Sequence, residues 1–305
     1  MQRRAEGLSA LRPEWATRPE RVQRWTMRLA VGVAFLLGRP AARLVLVFVC
    51  LHFLLLSRSD RAASRRYLRK ALGREPRLAD LFRHFHAFGA VILDRMYLLG
   101  GRFRRFDVRV HGEEIVDALR ARSEGGLLLG AHLGSFEVIR FLGREKCAMQ
   151  VRLVMYKEHA RKLNSVLDAV DPACALPVIE LGTIDSMLQV DSALAQGEFV
   201  GMLADRNIEG EGTARCTFFG EPARFPLGPF RLAAMLRRPL ILMVGLYRGG
   251  NRYDIHFELI EDLRAAERGN REQLVHQAMR KYAARLEHYC RLAPYNWFNF
   301  YDYWS

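Results

Sequence analysis

A histidine and a glutamate five residues apart are the pair in this chain best suited to acid–base chemistry. In residues 125–137 an apolar run ends in glycine and alanine, His132 follows, and a Gly-Ser turn leads into a predicted helix that carries Glu137. This order places His132 at the carboxyl end of a strand, where open α/β sheets bind their ligands. A carboxylate on one imidazole nitrogen leaves the other to accept a proton from a hydroxyl. We predict His132 as a general base that Glu137 orients; the alternative is a helix-capping histidine beside a surface glutamate.

The elements that must position this pair alternate along the chain. Short apolar runs predict strands over residues 127–129, 151–155, 178–179, 199–203, 241–246 and 253–259. Helical spacing predicts helices over residues 78–100, 136–142, 159–170, 184–196 and 273–288. Strands alternating with helices imply an α/β fold, with a mostly parallel mixed sheet covered by helices on both faces.

Two apolar runs, residues 29–37 and 44–56, precede these elements and are separated by Gly38, Arg39 and Pro40. The second run would extend about 20 Å as a helix, against a hydrocarbon core of about 30 Å. Three arrangements stay open: one imperfect span through the break, a helical hairpin set into one leaflet, or a buried core hairpin. We predict that residues 1–75 are a helical membrane anchor and that residues 76–305 form a single α/β domain.

The charge of the chain is concentrated beside these apolar runs. The formal net charge is +14, and residues 1–75 hold 16 Arg and Lys against 5 Asp and Glu. Basic residues next to an apolar stretch favour anionic lipid headgroups, and no nucleic-acid motif supports the rival partner. Five scattered cysteines without a C-x-x-C pair predict neither disulfides nor a zinc site. We expect a reduced catalytic domain on the cytoplasmic side of a membrane, which the family resemblance described next implies to be the inner membrane.

Four ordered motifs resemble the lysophospholipid acyltransferase superfamily, and most closely its lipid A biosynthesis late acyltransferases. The first is the H-x-x-x-x-E stretch from His132 to Glu137. The second is a predicted strand ending in Asp205-Arg206, and the third is Phe218-Phe-Gly-Glu-Pro-Ala, which matches F-F-G-x-P-A. Pro239 at the start of a late strand is the fourth, and the likeness covers nearly the full chain.

The resemblance implies transfer of an acyl group from an acyl carrier protein, or from coenzyme A, to a hydroxyl of a membrane lipid or glycolipid. It implies no metal and no bound cofactor. Backbone N–H groups of Gly134 and Ser135, or Arg206, would stabilise the oxyanion. Asp205 would hold Arg206 or orient the acceptor, or the two residues form a structural ion bridge.

Two further groups of residues have open roles. Arg152 and Lys157, on and just after a predicted strand, would meet phosphate or phosphopantetheine, or are solvated surface charges. Residues 295–304 include seven aromatics, which suits a membrane interface, an acyl-lined groove or a tail packed into the core.

The acceptor and the activity itself have alternatives at this stage. Because the C-terminal segment departs from the family pattern, an aryl polyene or another head group has equal standing with a lipid A precursor. A catalytically silent lipid-binding relative is a rival from another class, although an intact His132 and Glu137 argue against it. A hydrolase is disfavoured because the chain lacks a G-x-S-x-G elbow.

Overall fold

Seven strands of this chain form one sheet, and two more form a separate hairpin. The computed structural model describes residues 24–99, 102–138, 149–156, 178–181, 184–207 and 212–304. In chain order the elements are α1 (Arg24–Leu56), α2 (Arg58–Leu72), α3 (Leu78–Leu99), β1 (Asp107–His111), α4 (Glu113–Arg120), β2 (Leu127–Gly130), β3 (Val151–Tyr156), β4 (Val178–Leu181), α5 (Ile184–Ala195), β5 (Phe199–Leu203), β6 (Thr213–Phe218), β7 (Glu221–Pro226), α6 (Gly228–Leu236), β8 (Pro239–Tyr247), β9 (Arg252–Asp262) and α7 (Arg271–Leu292).

The sheet is mixed and mostly parallel. Its spatial order is β1-β9-β8-β2-β5-β3-β4. β8, β2, β5, β3 and β4 run parallel, whereas β9 pairs antiparallel with β8 and parallel with β1. The carboxyl ends of the five parallel strands therefore meet at one edge of the sheet, as the sequence predicts for the end of β2.

Apolar side chains pack on both faces of this sheet. Every residue of β2 and β8 is buried, as expected for strands covered on two sides. Neighbouring residues of β2 enter different cores, because Leu127 and Leu129 pack in one apolar cluster and Leu128 in another. The first cluster includes residues of α2, α5, α6 and α7, and the second includes residues of α3 and α4. The predicted α/β fold is thus confirmed.

Some of the described elements lie where the sequence predicts them, and others were not predicted. The strands β2, β3, β4, β5, β8 and β9, and the helices α3, α5 and α7, lie where the sequence patterns place them. The predicted helix at residues 136–142 is described only as a 3₁₀ turn over Phe136–Val138, and the one at 159–170 lies outside the described residues. The patterns missed β1, α4, α6 and the β6–β7 hairpin, each of whose elements is at most nine residues long.

The N-terminal helices pack onto the α/β part of the chain. Gly38 interrupts α1 with a positive φ of 77°, and the stretch Gly38–Leu56 is long and apolar enough to cross a membrane. Tyr67 and Leu68 of α2 are buried in the first core cluster, together with Cys50 and Leu54 of α1. The predicted boundary at residue 75 falls in the loop between α2 and α3, and buried residues from both sides of it belong to the first core cluster.

Candidate active site

The loop that follows β2 carries His132 and is held from two sides. Leu133 forms an isolated bridge with Trp297, and Gly134 forms one with Gly245 of β8. Gly134 has a φ of +66°, and a Cβ on it would lie 2.0 Å from the Gly245 carbonyl oxygen. A residue with a side chain cannot take this position, so the glycine allows the loop to lie directly against β8. The result is a fixed backbone for the histidine at the carboxyl edge of the sheet.

His132 is bonded to the carboxylate of Asp205, which follows the end of β5. The distance from His132 Nδ1 to Asp205 Oδ1 is 2.8 Å, and the His132 backbone N–H donates to Asp205 Oδ2 at 3.0 Å. An ionised carboxylate only accepts hydrogen bonds, so Nδ1 carries the proton and Nε2 carries the lone pair of the neutral ring. Because β2 and β5 are parallel neighbours, the sheet itself brings the two residues together.

Asp205 is fully buried and remains a charged acceptor. Burial by itself raises the pKa of its carboxyl, but the charge and hydrogen bonds of His132, together with the charge of Arg206, outweigh burial and hold this pKa well below its ordinary value. A buried carboxylate with this many donors stabilises an imidazolium on His132 when a proton arrives there. The pair is therefore arranged as a base and its charged partner.

The C-terminal segment, residues 293–304, supplies most of the other donors to Asp205. Trp297 Nε1 and Asn299 Nδ2 donate to Asp205 Oδ2 at 3.0 and 3.2 Å, and the Tyr303 hydroxyl donates to the Asp205 carbonyl at 2.8 Å. The Phe298 N–H donates to the His132 carbonyl at 2.7 Å. The aromatic tail is thus packed into the core beside the site, which was one of the three roles predicted for it.

Sequence reasoning missed that this segment builds the site. The sequence signal for this was the polar content of the segment. A purely apolar tail would not need the side-chain amides of Asn296 and Asn299 or the indole N–H of Trp297. Asn296 is buried, and its carbonyl accepts the Gly134 N–H at 2.8 Å. Polar groups in so aromatic a stretch indicate buried partners.

Arg206 bonds to the C-terminal segment. Its guanidinium donates to Asn299 Oδ1 at 2.8 Å and to the Phe298 carbonyl at 3.0 Å, and it stands 5.6 Å from the centre of the Tyr301 ring. The described hydrogen bonds join Asp205 to His132 and Arg206 to the C-terminal segment, and the roles predicted for Asp205 and Arg206 stay predictions. Arg206 therefore helps to position the residues that surround Asp205.

The predicted orienting residue, Glu137, is backbone-placed in the 3₁₀ turn Phe136–Val138, and its side chain lies outside the described part of the chain. The orienting contact that the structure describes comes from Asp205. The role of Glu137 stays a prediction.

Gly134 and Ser135 do not present their N–H groups to an oxyanion. The Gly134 N–H donates to Asn296, and the Ser135 N–H donates to the Gly245 carbonyl at 2.8 Å. The predicted oxyanion role of these two donors is wrong for this arrangement, because the same bonds fix the loop. Their place beside His132 is as predicted, but their role is structural.

Arg152 lies away from the site. It is the second residue of β3, level with Val200 of β5 and hence with Leu127, five residues before His132. Its guanidinium bonds to the carboxylate of the buried Glu198. At about 3.3 Å per residue, Arg152 is at the opposite edge of the sheet from His132, and its predicted contact with substrate stays a prediction. Lys157 lies outside the described residues.

A buried histidine of α3 is hydrogen-bonded to the C-terminal segment. His84 Nε2 lies 2.8 Å from the Trp297 carbonyl oxygen, and Nδ1 lies 2.8 Å from Ser64 Oγ. The carbonyl only accepts, so Nε2 must donate and Nδ1 must accept from the serine hydroxyl. Burial lowers the pKa of His84 to about 4, although its bond to Trp297 partly opposes this. His84 is therefore neutral in the folded protein near neutral pH.

This arrangement predicts a loss of stability on mild acidification. The ordinary pKa of 6.5 applies to the unfolded chain and about 4 to the folded one, so the unfolded state binds more protons between these values. Stability from neutral His84 is full above pH 6.5 and falls as the pH drops towards 4. We expect the free energy of unfolding to fall by about 2 kcal/mol from pH 6.5 to 5. Melting of wild type and His84→Gln across this range checks it, and an identical slope in both would contradict it.

The close approach of Gly134 to β8 gives a second prediction. Gly134→Ala should lower the free energy of unfolding by about 2 kcal/mol or more and should displace His132, because the new Cβ meets the Gly245 carbonyl. Gly220→Ala is the matched control: Gly220 also has a positive φ (+79°), but a Cβ there meets nothing within 4 Å. Thermal melting and turnover are the measurements. Equal losses of stability and turnover in the two variants would contradict the prediction, because they would show that the positive φ alone, and not the contact with Gly245, causes the loss.

One group among the described residues has the donor set for a metal ion, and its geometry is unsuitable. Ligand atoms of His111, Asp254 and His256 lie within 4.8 Å of one another on β1 and β9. The two imidazoles are stacked at 4.5 Å and 12°, so their in-plane lone pairs point side by side and do not converge on an ion. Asp254 also accepts from Arg248 at 2.7 Å. We assign no metal to this cluster.

Comparison with known proteins identifies the family of this chain. The family model described as bacterial lipid A biosynthesis acyltransferase matches residues 83–305, which is well over half of the chain. The matched region contains His132, Asp205 and the C-terminal segment that joins them. A search of curated proteins gives no significant match. The chain belongs to the bacterial lipid A biosynthesis acyltransferase family.

Proposed function

We propose that this acyltransferase moves an acyl chain from a thioester donor to a hydroxyl of a membrane lipid or glycolipid, with His132 as the general base. The observation that carries the proposal is the bond from His132 Nδ1 to the buried, ionised Asp205 in a chain of this family. A histidine held in this way is equipped to accept a proton at Nε2 and to be stabilised as a cation.

The reaction follows from these two residues. His132 Nε2 takes the proton of the acceptor hydroxyl while the hydroxyl oxygen attacks the thioester carbonyl. The tetrahedral intermediate collapses, the carbon–sulfur bond breaks, and the leaving thiolate takes the proton from the imidazolium. Asp205 stabilises the imidazolium between the two proton transfers. Glu137 is proposed as a second carboxylate acting on the same histidine.

The donor and the location are also part of the proposal. An acyl carrier protein or coenzyme A would bring the acyl chain as a thioester, and the inner membrane would hold the acceptor with the catalytic part on its cytoplasmic side. The apolar helix Gly38–Leu56 and the basic N-terminal residues support attachment to an anionic membrane surface. Acceptors outside lipid A, such as an aryl polyene head group, fit the same chemistry.

Mass spectrometry of membrane lipids tests the proposal in cells. The three strains to compare are wild type, a deletion of the gene and His132→Ala. We expect one acylated lipid to disappear from both the deletion and the variant, and its structure identifies the acceptor. A lipid lost only from the deletion would instead mean that the protein binds lipid without transferring an acyl chain.

A further inference from the structure

The apolar stretch Gly38–Leu56 of α1 is attached to the α/β part of the chain near its beginning. Arg39 donates to both carboxylate oxygens of Asp94 on α3, at 2.7 and 2.9 Å, and Arg43 donates to the same carboxylate at 2.9 Å. Asp94 is fully buried and also accepts from the Tyr253 hydroxyl of β9 at 3.0 Å. Arg39 further donates to the Gly250 carbonyl in the β8–β9 turn at 2.5 Å. This end of the helix is fixed by buried charge.

The same stretch is attached again in its middle and near its end. A Cβ on Gly89 of α3 would lie 2.5 Å from the Leu46 side chain, so the two helices touch there. Cys50 and Leu54 are buried in the first core cluster. Arg61 of α2 donates to the carbonyls of Leu54 and Leu55 at 2.5 and 2.7 Å. The attached face therefore runs from Arg39 to Leu54, about 22 Å along the helix at 1.5 Å per residue.

The opposite face of this stretch is apolar and exposed. Its large side chains with more than two fifths of their surface exposed are Leu44, Val45, Phe48, Val49, Leu51, Phe53, Leu55 and Leu56. Soluble surfaces rarely carry so continuous an apolar strip. Because the family acts on membrane lipids, the partner that fits this strip is the hydrocarbon of a bilayer.

Arginines stand at both ends of the strip. Arg58 and Arg65 are exposed on α2 after its carboxyl end. Arg105 and Arg252 are exposed near its amino end, where Asn251 of the β8–β9 turn bonds to the Arg105 carbonyl. A helix that crosses a bilayer shows a basic excess mainly on the cytoplasmic side. Here both ends of the strip carry positive charge and both are attached to the α/β part. This arrangement instead suits the anionic headgroups of a single leaflet.

We propose that Gly38–Leu56 lies in the plane of one leaflet of an anionic bilayer and does not cross it. A helix held to the α/β part at both ends cannot leave that part to span the membrane. The exposed apolar face enters the hydrocarbon, and the exposed arginines beyond the two ends of the strip contact lipid phosphates. Both ends of the helix stay on the membrane side that holds the catalytic part. This inference concerns membrane topology and does not depend on the proposed acyl donor or acceptor.

Depth measurements on spin-labelled protein test the proposal. Leu44, Phe48, Leu51 and Leu55 follow one helical stripe on the exposed face, so each is replaced singly by cysteine and labelled. The full-length background has Cys147, Cys174 and Cys216 changed to serine and keeps the buried Cys50 and Cys290. The protein is placed in nanodiscs of phosphatidylcholine and phosphatidylglycerol, and collisions with oxygen and a water-soluble nickel chelate give each depth. Gln273→Cys on α7 is the aqueous reference, and circular dichroism with thermal melting shows that each variant is folded.

The two topologies give different depth profiles. In the plane of one leaflet, the four labels lie at the same depth below the headgroups, within about one helix radius. Across the bilayer, Leu44 and Leu55 are separated by about 16 Å along the normal, so Phe48 and Leu51 are deep and Leu55 is shallow. That graded profile overturns the proposal. Labels as exposed to nickel as the one at Gln273 also overturn it, because the strip would then not contact lipid.

Discussion

Replacing His132 by glutamine is expected to lower kcat for acyl transfer by about 10³-fold, with little change in KM or in the melting temperature. The base would be lost, and positioned general bases contribute about 10²- to 10⁴-fold to rate. Glutamine fills much of the imidazole volume, and the buried carboxylate keeps the backbone N–H of residue 132, Trp297 and Asn299 as donors. Steady-state kinetics with the lipid acceptor in nanodiscs and a thioester donor give both constants.

The control for this variant separates chemistry from folding. His84→Gln changes a buried histidine that bonds to the Trp297 carbonyl, and no contact described for His84 reaches His132 or Asp205. It should retain most of its turnover at neutral pH, where His84 is uncharged in the wild type. If His132→Gln retains the wild-type kcat, His132 is not the base, and the mechanism fails.

Replacing Asp205 by asparagine is expected to have the second large effect, a fall in kcat of about 10³- to 10⁴-fold. Oδ2 accepts from the His132 N–H, from Trp297 and from Asn299, so the asparagine oxygen must occupy that place. The amide nitrogen then faces His132 Nδ1 and donates to it. This reverses the tautomer: Nε2 becomes protonated and cannot act as a base, as in the serine-protease precedent.

Stability distinguishes this tautomer effect from collapse of the site. Asp205→Asn keeps all three bonds to the oxygen, so the expected loss of folding free energy is about 1 to 2 kcal/mol. Asp205→Ala leaves the donors of Trp297 and Asn299 buried without an acceptor and should be markedly less stable. A fully active Asp205→Asn would show that another group, with Glu137 as the candidate, sets the tautomer of His132.

The position of His132 at the end of a strand was predictable from sequence because its signal is local. An apolar run, a histidine and a Gly-Ser turn within eleven residues fix a strand end and a loop, and β2 and its loop are found there. Continuous apolar runs likewise predicted the buried strands, including all of β8. Edge strand β1 alternates between exposed and half-buried residues, so it gave no comparable signal.

The hydrogen-bond partner of His132 was not predictable in the same way. Asp205 is 73 residues from His132 and becomes its neighbour only because β2 and β5 lie side by side. Trp297 and Asn299 are more than 90 residues beyond Asp205, and they reach it because the C-terminal segment folds back over the carboxyl edge. The prediction for Arg152 did not take its position along β3 into account. Arg152 is the second residue of that strand, so it lies at the amino-terminal edge of the parallel strands, away from His132.

Acyl transfer by the purified wild-type, His132→Gln and Asp205→Asn proteins tests the central claim most directly. Each protein is mixed with a radiolabelled acyl thioester and a membrane lipid extract, and both labelled lipid ester and free fatty acid are quantified. We predict that the wild type labels a lipid without releasing much free acid, and that both variants are slowed by about 10³-fold or more. Labelling of the lipid by both variants at the wild-type rate would contradict the assignment of the His132–Asp205 pair as the catalytic base and its partner.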